Sequence, residues 1–442
     1  LKKRLIALAC CAASTALAQL GGGYLGPAVL SSGATGVGER SGQQVDLRFY
    51  AGVNGVYDSS YNPTAVDSKG NLVTLSGLYG AEANIGVYGT HAWRTALLGI
   101  DYRGVFREYA NDPTYSGIDQ FLNIGYTYQQ TRHLIYKFSG TAGILDNSLG
   151  GVSVEPAVTS ANAVVNPGNQ IFDARSYYLQ GGVDVTYQQT ARTSYTFGGQ
   201  GFEVWRQSAY LVGVEGYNAR GTVEHRLNKN TSVGFTYQRQ HFDFPKAFGH
   251  ADIDSGELFL GTNIGPRWKL TVRGGVYHAE VSGLQTVALN PVIAALLGTS
   301  SSVQAFYSES FSPSGQATLN RKFKDANLSI SYGQSVVPGN GVYLTSKNQS
   351  GFAGYSYTGF RKLNLGISGG YQNLSSLGQG IPPYKIWHGG AGFTYALPWS
   401  LHLVARYDYL YQQIESDVYK HTGFRTTLGL TFSPGKVPLS LW

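Results

Sequence analysis

The run His250-Ala251-Asp252-Ile253-Asp254-Ser255-Gly256-Glu257 is a compact group of metal-capable side chains. It matches a calcium loop only loosely, because the ligand spacing and the twelfth-position glutamate of that motif are missing. The nine histidines show no paired spacing of the kind that holds zinc. There is no Gly-x-Ser-x-Gly elbow and no phosphate loop. A Ser, His and Asp or Asn trio brought together on adjacent strands would leave no sequence motif, and nothing points to one. No catalytic residue, metal site or cofactor is therefore expected, and an enzyme is the least favoured class.

The charged residues are more informative. Asp46, Arg48, Glu82, Asp101, Arg103, Arg107, Asp119, Lys137, Asp184, Arg220, Glu224, Glu257, Arg273, Arg406, Asp408 and Arg425 each alternate with apolar neighbours. Alternation with period two puts the two kinds on opposite faces of an extended strand. In a membrane-spanning strand a charge on the lipid face costs about 2–4 kcal/mol for Arg or Lys at the midplane. The sixteen are expected to line an interior, eight of each sign. A balanced lining argues against a strongly ion-selective filter, for which a ring of one sign is the usual device.

The elements that must carry these residues are strands. The first alternates Val45, Leu47, Phe49, Ala51 and Val53 with Asp46, Arg48, Tyr50 and Asn54; a late one alternates Leu401, Leu403, Ala405, Tyr407 and Tyr409 with Arg406 and Asp408. About eighteen such segments are expected, with sixteen to twenty compatible with the pattern: 44–57, 77–89, 94–108, 118–129, 133–145, 175–188, 192–203, 214–227, 232–242, 253–264, 269–279, 305–322, 326–336, 346–358, 362–373, 384–396, 400–412 and 421–432. Most are long enough for the 9–11 residues a tilted strand needs to cross the hydrocarbon. Short turns alternate with longer loops, notably 58–74, 146–174 and 280–304, and 284–297 has the composition of a loop or a short helix. Trp93, Tyr128, Tyr136, Tyr187, Tyr195, Trp268, Tyr357, Phe360, Tyr395 and Trp399 sit near the short turns, as an interfacial aromatic girdle would. The short turns are basic, with Arg94, Arg132, Arg192, Arg267, Lys324 and Arg361 among them. The long loops are read as acidic, with Asp58, Asp146, Asp243, Asp252, Asp254, Glu280 and Glu309 among their residues. Tyr128-Gln129-Gln130-Thr131 recurs as Tyr187-Gln188-Gln189-Thr190, a duplicated hairpin.

Residues 1–18 open Leu1-Lys2-Lys3-Arg4, continue apolar from Leu5 to Leu17 and end Ala16-Leu17-Ala18, which reads as a signal peptide. Both cysteines, Cys10 and Cys11, fall within it. Residues 19–42 are rich in Gly and Ser and read as a flexible periplasmic tail or a small lumen plug. Residues 43–432 form the expected barrel, and 433–442 a C-terminal tail. Beyond residue 18 no apolar run is long enough for a membrane helix. With 59 Gly, 32 Tyr and only 13% charged residues, the surface is expected to be partly apolar, as a lipid-facing band would be. The formal charge of +7 includes Lys2, Lys3 and Arg4 and does not point to nucleic acid.

Taken together the chain resembles the porin-like superfamily of Gram-negative outer-membrane β-barrels. The resemblance spans nearly all of it after residue 42 but is one of pattern and selects no subfamily. It implies an all-β, antiparallel, up-and-down transmembrane barrel with short periplasmic turns and long extracellular loops, in the cell outer membrane. Such barrels end in an alternating strand with a final aromatic, read by the barrel-assembly machinery. Phe424, Leu428, Leu430 and Phe432 fit that pattern, while the tail from Ser433 to Trp442 departs from it and leaves open which aromatic is the recognised end. The implied function is passive diffusion of small polar solutes. The alternative is a structural or adhesive barrel whose lumen is closed by the 146–174 and 280–304 loops. The implied partners are outer-membrane lipids and lipopolysaccharide, with self-association into a homo-oligomer left open.

Overall fold

The computed structural model describes residues 44–59, 65–66, 72–73, 76–112, 115–146, 175–208, 211–288, 301–414 and 419–434. The expected signal peptide, the 19–42 segment and most of the 146–174 loop lie outside the described residues, as does the tail from residue 435.

The strands are β1 (Gln44–Ser59), β2 (Ala65–Val66), β3 (Leu72–Val73), β4 (Ser76–Ala92), β5 (Ala96–Tyr109), β6 (Gly117–Gln129), β7 (Leu134–Leu145), β8 (Ser176–Gln188), β9 (Thr193–Arg206), β10 (Val214–Arg226), β11 (Thr231–Phe244), β12 (Gly249–Ile264), β13 (Trp268–Ala288), β14 (Ser301–Lys322), β15 (Ala326–Pro338), β16 (Thr345–Tyr357), β17 (Leu363–Ser376), β18 (Tyr384–Ala396), β19 (Leu401–Ile414) and β20 (Tyr419–Phe432). Among the described residues the two-residue strands β2 and β3 pair only with each other, inside the first long loop. The other eighteen form one antiparallel sheet in chain order. It closes because β1 pairs with β4 on one side and with β20 on the other, from Ala51↔Phe432 to Ser59↔Phe424. Closure leaves no free sheet edge at membrane depth at this seam, as lipid demands.

Alternation decides which face each residue takes. On β1, Phe49 and Val53 are exposed while Tyr50, Asn54, Val56 and Asp58 are buried. On β20, Leu428 and Leu430 are exposed while Arg425, Thr427 and Thr431 are buried. The outward faces thus make a belt that includes Phe49, Ile85, Phe106, Phe138, Phe197, Leu258, Ile367 and Leu428.

The short turns are held by local side chains. In the repeated hairpin, Thr131 Oγ accepts from the backbone N–H of His133 and Leu134 at 3.2 and 3.0 Å. Thr190 Oγ does the same for Arg192 and Thr193 at 3.1 and 3.0 Å. The duplicated threonine therefore sets the turn.

Three expectations need correction. Asp58 is not a loop residue but the inward-facing penultimate residue of β1. Asp254 and Glu309, read as loop acids, lie on β12 and β14 within spans expected to be strand, while Asp243, Asp252 and Glu280 lie on strands rather than loops because β11 to β13 continue further than expected. For the same reason residues 280–288 and 301–304 are paired strand, so the loop placed at 280–304 is confined to 289–300, which lies outside the described residues.

Candidate functional site

The inner wall is the candidate site. Arg48, Glu82, Asp101, Arg103, Arg107, Asp119, Lys137, Asp184, Arg220, Glu224, Glu257, Arg273, Arg406, Asp408 and Arg425 all occupy inward positions of their strands. Asp46 has an inward register opposite Thr90, but its side chain lies outside the described residues.

The structure organises these charges into local pairs. Arg107 donates to Glu82 at 3.0 Å and lies 3.8 Å from Asp119. Arg103 grips Asp101 through Nε and Nη2 at 3.1 and 2.7 Å. Arg220 Nη2 reaches both oxygens of Asp184 at 2.6 Å, and Arg406 Nε reaches Asp408 at 2.7 Å. Arg425 holds Asp58, the acid misplaced by sequence reasoning, at 2.7 and 3.0 Å, and Tyr109 donates to the same carboxylate at 3.3 Å. Pairing within a strand, between adjacent strands or across one intervening strand offsets part of the cost of carrying charges into the barrel. Just above the wall, Asp146 accepts from Arg175, which raises the guanidinium pKa above its ordinary value.

The charges are not spread evenly. The pairs above sit on β1, β4 to β6, β8, β10, β19 and β20. The inward row of β14 to β17 carries no charge above Lys322 at the turn. Ser308, Ser310, Ser312 and Ser314 on β14, Ser329 and Ser331 on β15, Asn348 and Ser350 on β16, and Ser368 and Gln372 on β17 make it a hydroxyl and amide surface. Inward charges run from β19 through β20 and β1 round to β13, and the arc from β14 to β17 is neutral. Single strands showed the alternation, but only closure shows which strands face each other.

Sequence reasoning missed the mouth. The β15–β16 connection, 339–344, folds inward and meets the β9–β10 connection, where the Val212 N–H donates to the Gly341 carbonyl at 3.0 Å. Arg206 Nε donates to the Val212 carbonyl at 3.1 Å. The β17–β18 connection joins them: Tyr343 OH donates to the Pro382 carbonyl at 2.6 Å, and Gln379 accepts from the Leu344 N–H at 2.9 Å. One side of this tip, with Val336 and Leu344, packs on the inward Phe202, Phe242, Ile253, Tyr277 and Val281. The other, with Tyr343, packs on Leu374, Tyr384, Ile386 and Leu410. The tip therefore spans the mouth between two walls. Its signal was present: Val336-Val337 and Val342-Tyr343-Leu344 break period two around Pro338-Gly339-Asn340-Gly341.

On the outer wall, Tyr128, Tyr136, Tyr187, Tyr195, Trp268, Tyr357 and Tyr395 lie on outward positions near the short turns, and Trp93, Phe360 and Trp399 lie in the turns themselves. Arg321 stacks 4.5 Å from Trp268 and 4.3 Å from Phe323 at this rim. The acidic run beginning at His250 divides by face. Glu257 points inward, while Asp252 and Asp254 point outward and are bound by His241 at 3.0 Å and by Tyr237 at 2.5 Å. Among the described residues no group of three or more His, Cys, Asp or Glu is placed to hold a metal ion.

A closed antiparallel barrel with an apolar outer belt, a charged and polar inner wall and aromatic residues at one rim is an outer-membrane β-barrel. No protein-family model matches the chain, and no curated protein matches it. Among solved structures it is similar to the ferric citrate transporter FecA in its unliganded form, at 14% identity and a TM-score of 0.43, over 93% of this chain and 68% of that one. It is also similar to Pseudomonas aeruginosa OpdK with vanillate, at 11% identity and a TM-score of 0.40, over 89% of this chain and all of that one. Acinetobacter baumannii OccAB2 is similar at 11% identity and a TM-score of 0.39, over 89% of this chain and 100% of that one. At such low identity the likeness is one of fold alone.

Proposed function

We propose that this protein is an outer-membrane channel for passive diffusion of small hydrophilic solutes. The observation that carries the reading is the eighteen-strand closure around a charged wall interrupted by a hydroxyl and amide arc on β14 to β17. Barrels of 16–18 strands leave an aqueous interior rather than one filled by wall side chains. A solute with both charge and hydroxyl groups meets a matching surface for each. Near-balance of sign around the wall favours weak ion selectivity, with Arg103, Arg107, Arg406 and their acidic partners as the groups that set it. The tip at 339–344 narrows the route at the outer mouth. The aromatic rim and its basic turns hold the barrel at the headgroup level.

Planar-bilayer conductance of the purified protein, followed by liposome swelling with a panel of sugars and carboxylates, tests this. Discrete conductance steps with swelling by the smaller solutes are expected. A silent bilayer together with no swelling by any solute would favour a structural barrel with a sealed mouth.

A further inference from the structure

The ladder between β14 and β15 stops early. It holds eight residue pairs, from Lys322↔Asn327 to Gly315↔Gln334, whereas β13–β14 holds twenty-one and β15–β16 thirteen. At roughly 3.3 Å per residue and a tilt of about 40°, these pairs climb only about 18 Å, against roughly 25 Å for the apolar band of such a barrel. The lower end of the seam is fixed at the interface by Arg321, stacked between Trp268 and Phe323. The upper end therefore falls within the outer leaflet. Above it, residues 301–314 of β14 pair with β13 alone among the described residues.

The break is built into the chain. Pro313 sits where the ladder ends and has no N–H to offer a partner strand. Gln334 Nε2 takes the carbonyl of that residue at 2.6 Å, capping the edge with a side chain. Beyond Gln334, β15 rolls inward. Ile330 and Tyr332 are exposed on the outer face, yet Val336, the next but one in that row, is buried in the apolar cluster of the inner wall.

Behind the seam the inner wall is apolar, and below that it is polar without charge. Tyr277, Val281 and Leu344 belong to one packed apolar cluster, with the half-buried Phe306 against it. Below it the Ser314 hydroxyl and, four positions further down the β14–β15 pair, the Ser331 hydroxyl are buried without a hydrogen-bond partner among the described residues.

We propose that the β14–β15 seam is a side entrance through which uncharged amphiphiles, an apolar body with a hydrogen-bonding head, pass between the outer leaflet and the lumen beneath the capped mouth. The apolar cluster meets the apolar body, the Ser314 and Ser331 hydroxyls each offer the head a hydrogen bond along the way, and the lack of charge along β14 to β17 selects against ionic heads.

The test uses the full chain carrying Cys10→Ser and Cys11→Ser, with one added cysteine, reconstituted in liposomes. Ser314→Cys reports on the seam. Ser350→Cys, an inward residue at similar height on the fully paired β16, is the control. Bilayer-dissolved N-dodecylmaleimide is expected to label Cys at 314 several-fold faster than Cys at 350, and 1-dodecanol is expected to slow the first reaction only. Equal rates at the two positions overturn the proposal, as does fast labelling at 314 that 1-dodecanol leaves unchanged. Ion conductance is recorded on the same preparations, so a failed side entrance is distinguished from a failed pore. Folding of each variant is checked by its resistance to unfolding in dodecyl sulfate.

Discussion

The Asp184 carboxylate reaches across β9 to the Arg220 guanidinium, with both oxygens 2.6 Å from Nη2, over the one position between them that has no side chain, Gly198. A Cβ at Gly198 would collide with the Asp184 carboxylate and lie 3.2 Å from Arg220 Nε. The glycine is required by this close approach, not by its backbone angles. The same device recurs where Asp408 leans over Gly390 toward Arg406.

Gly198→Ala is therefore expected to displace Asp184 from Arg220 and to destabilise the barrel by about 1–3 kcal/mol, as overpacking does. The midpoint of urea unfolding in detergent measures this. Adding Asp184→Ser to Gly198→Ala removes the clash and should cost less than the two single effects summed.

Asp58 and Arg425 join the first strand to the last at the closing seam, and both are almost fully buried. Asp58→Ala strands the guanidinium, a change that costs about 3–5 kcal/mol when a buried pair loses one partner. The same loss should follow Arg425→Ala, and an Asp58→Leu, Arg425→Leu pair should be less harmful than either single variant. Thermal unfolding of the refolded protein distinguishes these outcomes.

Arg103 is paired with Asp101 and is more exposed than Arg107 or Arg425. Arg103→Ser leaves that carboxylate facing the lumen and should move the reversal potential in a KCl gradient toward cations. The shift should shrink at molar salt, where the Debye length falls to about 3 Å. Placing a charge on the neutral arc, as Ser350→Arg, should move it toward anions.

The mouth rests on the Tyr343 tip. Tyr343→Ser with Leu344→Ser removes two buried apolar side chains, each worth about 2–5 kcal/mol to the packing they join. The tip should release, and single-channel conductance should rise. Unchanged conductance would mean that the solute route bypasses the tip.

Trp399 and Ser400 both adopt left-handed backbone angles, φ +60 and +59°, in the tight turn between β18 and β19. Such angles cost an L-residue about 1–2 kcal/mol each, and glycine avoids that cost. Ser400→Gly is expected to raise the thermal midpoint by a few degrees, read by circular dichroism in detergent.

Much of this molecule is legible in one dimension because a membrane strand is read by a period of two. Alternation separated Phe49 and Val53 from Arg48 and Asn54 without any knowledge of neighbours, and the turn chemistry at Thr131 and Thr190 is equally local. Asp58 was misread because a boundary two residues in error turns an inward strand position into a loop. What tertiary structure alone decided is who stands beside whom. Closure sets Arg425 against Asp58 across 367 positions of chain and leaves the β14–β17 arc without charge between charged strands. It also brings the 339–344 tip to Val212, across a mouth that exists only once the sheet has curled round. The early end of the β14–β15 ladder has the same origin, since pairing length is a property of two strands together and neither carries it alone.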